Sequence, residues 1–369
     1  MSTAKLHIVH TEASLGWGGQ EIRILTEAAG MIRRGHRVTL LCPPQARIFQ
    51  EAGLRGIPVE ALEIGRKNLA GLAAMRRWLK HHRADVINTH SSTDTWLTAL
   101  ASALLAAPPP LVRTRHISAA VPNNLATRWL YQSATHHIVT TGEKLRRQLI
   151  EQNGYDPATL TSVPTGIDTA HFAHGEREAA RRSLGLAEDG MVIGIVATLR
   201  SWKGHTYLLD AFAELSDRSA RLLIVGDGPQ REALQARIAE LGLGDRVIMP
   251  GNQRDVLPWL QAMDVFALPS YANEGVPQAL LQAMLCGLPV VSTPVGSITE
   301  VAEHQRTGLI VEPRQAAPLR DALERLLNND DLRRSLGDAA LAEGRARFGL
   351  DAMLDKMEAV FAEAVAHRG

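Results

Sequence analysis

Short apolar runs alternate with longer amphipathic segments along the whole chain, and that alternation sets the expected architecture. Residues 6–10, 37–41, 59–64, 86–89, 111–115 and 137–140 are runs of four to six residues with the apolar character of buried strands. Each leads into a helical or loop segment. The helix expected over 20–34 ends at Gly35, placed as a helix-terminating glycine. Turn residues interrupt the pattern over 162–172, and then it restarts. A helix over 176–184 leads to strands at 192–197, 221–225, 247–249, 265–268 and 290–292, with helices at 230–241 and 278–285 between them. Units of this spacing predict parallel sheets with right-handed crossovers. The closing segments 316–327, 331–348 and 350–367 read as helices without chemistry of their own.

Length and composition narrow the picture. At 369 residues the chain suits two domains, and its 45% apolar and 21% charged residues are ordinary globular values. Cys42 and Cys286 lie far apart beside apolar strand patterns, which reads as two buried thiols in a reducing cytoplasm. The N-terminal residues enter a strand almost directly, without the apolar core of a signal peptide. The longest apolar stretch, 96–107, is well short of the ~20 residues of a membrane span. A soluble or membrane-peripheral protein is expected.

Charge is uneven. Residues 1–165 hold 19 Lys and Arg against 11 Asp and Glu, and the remainder 21 against 28. That asymmetry fits an anionic surface or partner facing the first half, and equally fits ordinary solvated helix faces. Arg76, Arg77, Lys80, His81, His82 and Arg83 crowd one helix whose other face carries Leu72, Met75 and Leu79. Such a helix can touch anionic headgroups or simply cover the domain.

The densest chemistry lies in 272–293. Glu274 sits in a Gly/Pro-rich loop with Gly275 and Val276, opening the helix that carries Gln282. A carboxylate beside the free N–H groups of a helix start can bind hydroxyls, while those N–H groups bind phosphate. Gly18, Gly19, Gln20 and Glu21 stand between the first strand and the first helix, where glycine lets a ligand approach the backbone. Neither half carries the G-x-G-x-x-G fingerprint in its first strand–helix turn, which argues against a nicotinamide dehydrogenase. Arg200 and Lys203 follow strand 192–197, where two cations can neutralise a diphosphate leaving group. His116 and His90 each close a strand run, a position more often structural than catalytic. Gly226 lies in a turn after strand 221–225, Gln253 and Arg254 follow Pro250-Gly251-Asn252, and Ser297 lies in the turn 294–300 expected to open a helix.

Together these segments resemble the retaining, nucleotide-sugar-dependent glycosyltransferases of the GT-B kind, in particular glycosyltransferase family 4. The resemblance implies an α/β chain of two Rossmann-like, doubly wound parallel-sheet domains facing a central cleft. It assigns 1–165 to the acceptor side, 166–345 to the nucleotide-sugar donor, and 346–369 to a C-terminal helix packing back towards the first domain. It places Lys203 and Arg200 on the diphosphate, Glu274 and His116 on the donor sugar, and Gln282 near the ribose. Gln253 and Arg254 would lie in the loop holding the base, mostly by main chain. Gly18, Gly19, Gly226, Gly275, Val276 and Ser297 would line the donor site.

Besides Thr307, which stands for Asn at the start of the closing strand motif 307–311, two site positions depart from the family pattern. Thr198 stands where the family has Arg, so Arg200 either takes over that role or points elsewhere. Gln282 stands where a second glutamate grips the ribose. The expected activity is transfer of a sugar, with retention and without a metal or other cofactor, from a UDP- or GDP-sugar to a glycan or lipid-linked acceptor. Synthesis of lipopolysaccharide or another cell-surface polysaccharide fits, on the cytoplasmic face of the membrane, and no nucleic-acid partner is expected. A sugar-nucleotide epimerase of the same fold and a non-catalytic nucleotide-sugar binder stay open.

Overall fold

A computed structural model describes residues 5–117, 119–272 and 274–366. Asn273, in the Glu274 loop, and His367, the expected end of the final helix, lie outside the described residues. The chain divides into two compact units, Met1–Gly166 with Leu350–Gly369, and Ile167–Gly349.

The first unit holds β1 (His7–Thr11), β2 (Arg37–Cys42), β3 (Val59–Ala61), β4 (Val86–Thr89), β5 (Leu111–Arg115), β6 (His137–Thr140) and β7 (Leu160–Ser162). They form one parallel sheet in the order β3-β2-β1-β4-β5-β6-β7. The second unit holds β8 (Val192–Val196), β9 (Arg221–Val225), β10 (Val247–Gly251), β11 (Val265–Leu268), β12 (Val290–Ser292) and β13 (Gly308–Ile310). Its parallel sheet has the order β10-β9-β8-β11-β12-β13. In each unit the order reverses beside the first strand, between β1 and β4 and between β8 and β11. Doubly wound sheets bind ligands outside the strand C-termini at such switch points.

Strand residues alternate between two buried faces, which is why these runs read as continuously apolar. In the first unit Ile8, Leu40, Val86, Val112 and Val139 pack on one side, while Val9, Leu41, Ile87, Leu111 and Ile138 pack on the other. The final helix, Leu350–Ala366, adds Met353, Leu354, Met357 and Phe361 to the first of these layers. Gly30 makes that packing possible: a Cβ there would stand 2.5 Å from a Leu354 methyl. Arg34 and His36 pair with Glu358 at 2.5 and 2.7 Å beside it. Residues 346–349 stay with the second unit, since the helix Asp330–Arg347 runs to Arg347 and Gly349 bridges to Ile167. Both cysteines are free and buried, and burial pushes each thiol up to about 12.

Some expected elements change. β3 stops at Ala61, and Leu62 to Ile64 turn away with Ile64 N–H donating to Leu62 O. β7 joins the sheet unannounced, three residues lying between Pro157 and Pro164 with Leu160 alone apolar. The turn 294–300 opens no helix: it ends in a three-residue 3-10 turn, Ile298–Glu300, too short to present a row of aligned N–H groups.

Candidate active site

In the second unit, the loops leaving β8 and β11 meet at the switch point, with the loop after β12 against them. Gly204 lets the β8 loop, and Gly296 the β12 loop, come this close to the loop after β11. Gly204 has φ +78°, and a Cβ there would stand 2.0 Å from Pro269 O. Gly296 has φ +57°, and its Cβ would stand 1.9 Å from Glu274 O. Tyr271 N–H donates to Trp202 O at 2.8 Å, tying the same loops together.

The result is a contact between Lys203 and Glu274, Nζ to Oε1 2.6 Å. Ser270 Oγ donates to the same oxygen at 2.6 Å, and Thr293 Oγ1 holds Ser270 O from the β12 end. The Glu274 side chain is only 4% exposed and that of Lys203 19%. Among the described residues Glu274 Oε2 accepts no hydrogen bond, and Nζ has two further protons to offer. A fixed carboxylate with one unbonded oxygen and a fixed ammonium with two unbonded protons therefore stand side by side. That is a pattern suited to a hydroxyl-rich, anionic ligand. Gly296→Ala is expected to destabilise the protein by about 2–4 kcal/mol, since the new methyl would overlap backbone in a left-handed conformation. Chemical denaturation checks this, and a loss below about 0.5 kcal/mol contradicts it.

The other donor-side residues fall around this pair unequally. Gly275 and Val276 are buried in the loop before the helix Gln278–Leu285, which carries the buried Gln282. Ser297 is buried at the start of the 3-10 turn. Gly226, φ +137°, lets the loop after β9 press on Ala197 O. Gln253 donates to Pro250 O at 3.1 Å, and Arg254 is exposed. Arg200 is exposed, with its guanidinium 5.6 Å from the Trp202 ring, and among the described residues the guanidinium makes no bond to the Lys203 or Glu274 side chain, although Arg200 O accepts from Lys203 N–H.

In the first unit, Gly18 and Gly19 open the helix Gly19–Arg33 with no side-chain cap at Gly18. Gln20 donates to the buried Glu12, and burial, with Asp94 and Glu21 close by, holds Glu12 above the usual carboxylate range. Asp94 accepts from Thr11 Oγ1, from the His90 and Ser91 N–H groups and from Ser91 Oγ. His116, directly after β5, is half-buried, and its Nε2 lies 3.0 Å from His90 Nδ1. His90 Nε2 in turn lies 2.9 Å from His10 Nδ1. The sequence reading treated His90 as structural and did not single out His10, Glu12, Arg23, Glu27 or Asp94. The available signals were the strand–helix loop for Glu12 and the Ser91–Asp94 capping box for Asp94, while Glu27, inside the helix Gly19–Arg33, had none. His10 had none, because it sits inside an apolar run.

Burial lowers all three histidines, His10 to about 3, so the cluster is neutral near pH 7. A depressed histidine pKa gives stability that is complete above the unfolded value near 6.5 and is lost as pH falls towards the folded value. The histidines' share of stability is expected to be lost below about pH 6.5, while Glu12 and Glu27, which burial raises, add stability as pH falls towards the ordinary carboxylate range. His10→Asn should therefore lose less stability than the native protein between about pH 6.5 and 4 in a calorimetric series. Parallel pH profiles for the two proteins contradict the buried neutral cluster.

Two family models divide the chain between them. Glycosyltransferase Family 4 matches residues 17–171 and Glycosyl transferases group 1 matches residues 176–342. The chain belongs to the family 4 glycosyltransferases. A D-inositol 3-phosphate glycosyltransferase of Corynebacterium jeikeium is 32% identical over 292 residues, covering 70% of this chain and 68% of that protein. Its counterpart in Corynebacterium diphtheriae is 29% identical over an alignment 392 positions long with gaps, covering 94% of this chain and 90% of that protein. Among solved structures, Anabaena HepE in complex with UDP-glucose superposes with a TM-score of 0.86 at 22% identity, covering 98% of this chain and 100% of that one. The expectation of a glycosyltransferase built from two Rossmann-like units of the GT-B type is borne out. No helix of this glycosyltransferase, among the described residues, is long and apolar enough to cross a membrane.

Proposed function

We propose that this glycosyltransferase moves a sugar from a UDP-sugar to a hydroxyl of a phosphate-bearing acceptor, with retention of anomeric configuration and without a metal ion. The observation that carries the donor side is the Lys203–Glu274 pair at the β8/β11 switch point. Lys203 has protons left for the β-phosphate of the leaving diphosphate, and Glu274 Oε2 is open to a sugar hydroxyl. His116 in the first unit is the second contact assigned to the donor sugar, and Gln282 is assigned to the ribose. HepE, solved in complex with UDP-glucose on the same fold, supports UDP over GDP as the carrier.

The reaction is a front-face displacement. The bond from C1 to the phosphate oxygen breaks while the acceptor oxygen bonds C1 on the same face. The acceptor proton passes to the departing phosphate. Lys203 stabilises the charge that develops there, which is where a fixed cation lowers the barrier most.

The acceptor reading rests on charge. The excess of 19 basic over 11 acidic residues in 1–165 favours an anionic acceptor, and the Corynebacterium relatives are named for a phosphorylated one. A lipid-linked glycan of cell-surface polysaccharide synthesis carries that chemistry at a membrane surface. The deciding experiment is proton NMR of the product formed from UDP-glucose with EDTA present. Retention in the presence of chelator is the expected result. Inversion, a requirement for added metal, or an epimerised UDP-sugar formed without acceptor would each overturn the proposal. Sedimentation with anionic vesicles separates a lipid-linked acceptor from a soluble phosphorylated polyol.

A further inference from the structure

Three neighbouring strands of the first unit place a histidine at their C-terminal ends: His10 is the last residue but one of β1, and β4 and β5 run directly into His90 and His116. Parallel strands lie about 4.8 Å apart, close to the spacing at which imidazoles bond edge to edge. The ring centroids of His10 and His90 are 5.2 Å apart and those of His90 and His116 are 5.3 Å apart. The two nitrogen–nitrogen contacts, 2.9 and 3.0 Å, are ordinary hydrogen bonds. Each needs one donor and one acceptor, so in neutral rings the direction of one bond fixes the direction of the next.

The inner end of the chain is at Glu27. His10 Nε2 lies 3.9 Å from Glu27 Oε1, both side chains are wholly buried, and His10 Nε2 has no hydrogen-bond partner among the described residues. Around them stand Arg23, 3.8 Å from Glu27 and held by Val163 O and Thr165, then Asn88, which donates to Glu27, and the edge-on ring of Phe361. Asp94 holds the His90 N–H from the helix Ser92–Ser102, and Arg115 adjoins His116 on β5. The outer end is His116 Nδ1, which has no protein partner among the described residues.

We propose that His10, His90 and His116 form a proton relay in which the charge state of Glu27 sets what His116 offers to a bound hydroxyl. With Glu27 ionised, His10 Nε2–H points at the carboxylate, His90 Nε2–H donates to His10 and His116 Nε2–H donates to His90. His116 Nδ1 then presents a lone pair. A proton taken up at His116 Nδ1 shifts each of the three N–H protons one place inwards, and the last arrives on Glu27. His116 Nδ1 is then a donor, all three rings stay neutral, and one proton has been gained in total. The last link is too long for a hydrogen bond as it stands, so Glu27 closes it by moving about 1 Å. Burial raises Glu27 to about 7 against the pull of Arg23, which puts the switch near neutral pH. Glu27, His10 and His90 are positioning residues acting through His116. That His116 meets a donor hydroxyl rests on the glycosyl-transfer reading, whereas the relay itself does not.

The test is 15N NMR of the histidine side chains in the full-length protein without substrate, with His116 assigned by the His116→Asn variant. At about pH 6 the His116 proton is expected on Nδ1 and at about pH 8.5 on Nε2, so the two ring shifts exchange. In Glu27→Gln the tautomer should no longer respond to pH. A single unchanging tautomer in the native protein overturns the relay, as does an imidazolium protonated on both nitrogens, or a titration that persists in Glu27→Gln. Because no substrate is present, a failed relay and a failed transferase reading give separate results.

Discussion

Glu274→Gln is expected to lower kcat/KM for the nucleotide-sugar donor by about a hundredfold or more. The native carboxylate is 4% exposed, carries Lys203 and Ser270 on one oxygen and leaves the other without a hydrogen bond among the described residues. Glutamine keeps the shape and loses the charge, so the ion pair with Lys203 is weakened and the bond to a sugar hydroxyl ceases to be charge-assisted. A bond to a charged group contributes about 1.5–3 kcal/mol, about one to two factors of ten in rate, and the weakened hold on Lys203 adds to that loss. The amide nitrogen also puts a donor where an acceptor is required for either Lys203 or the ligand. Steady-state kinetics, with the melting temperature as a check on folding, decide it. A loss below tenfold would mean that Glu274 does not hold the sugar.

Lys203→Ala should cost at least a factor of ten in kcat/KM for the donor. Two effects act in the same direction. The leaving diphosphate loses a cation where charge develops, and Glu274 is left with Ser270 as its only hydrogen-bond donor among the described residues. Removing one partner of a buried pair costs more than the pair contributes, because the remaining charge is still buried. The loss of stability is smaller than for a fully enclosed pair, since Lys203 is 19% exposed and water can reach Glu274 once it is gone. Kinetic and thermal measurements on the same variant separate the two effects. A kcat/KM within threefold of the native value would remove Lys203 from the phosphate role.

The fold was legible because parallel strands buried on both faces leave an unmistakable apolar run. Val86–Thr89, Leu111–Arg115, His137–Thr140, Arg221–Val225, Val265–Leu268 and Val290–Ser292 have the ends read from the sequence. β7 escaped because an edge strand of three residues needs little apolar character. The pairing of Lys203 with Glu274 was foreseeable only through the family likeness. They are 71 residues apart, and what joins them is strand order, not spacing along the chain. His10, His90 and His116 are similarly scattered, and nothing in the chain signals that β1, β4 and β5 lie side by side. Arg200 illustrates the opposite limit. Its neighbourhood in sequence put it beside Lys203, yet its side chain turns to Trp202.

The measurement that tests the account most directly is a thermal-shift screen of UDP-, GDP-, ADP- and CMP-sugars, followed by nucleotide release with the best donor. A UDP-sugar is expected to raise the melting temperature, and release of UDP should accelerate when a phosphate-bearing acceptor is added. No shift with any donor, or release indifferent to acceptor, would contradict transfer from a nucleotide sugar at the Lys203–Glu274 site.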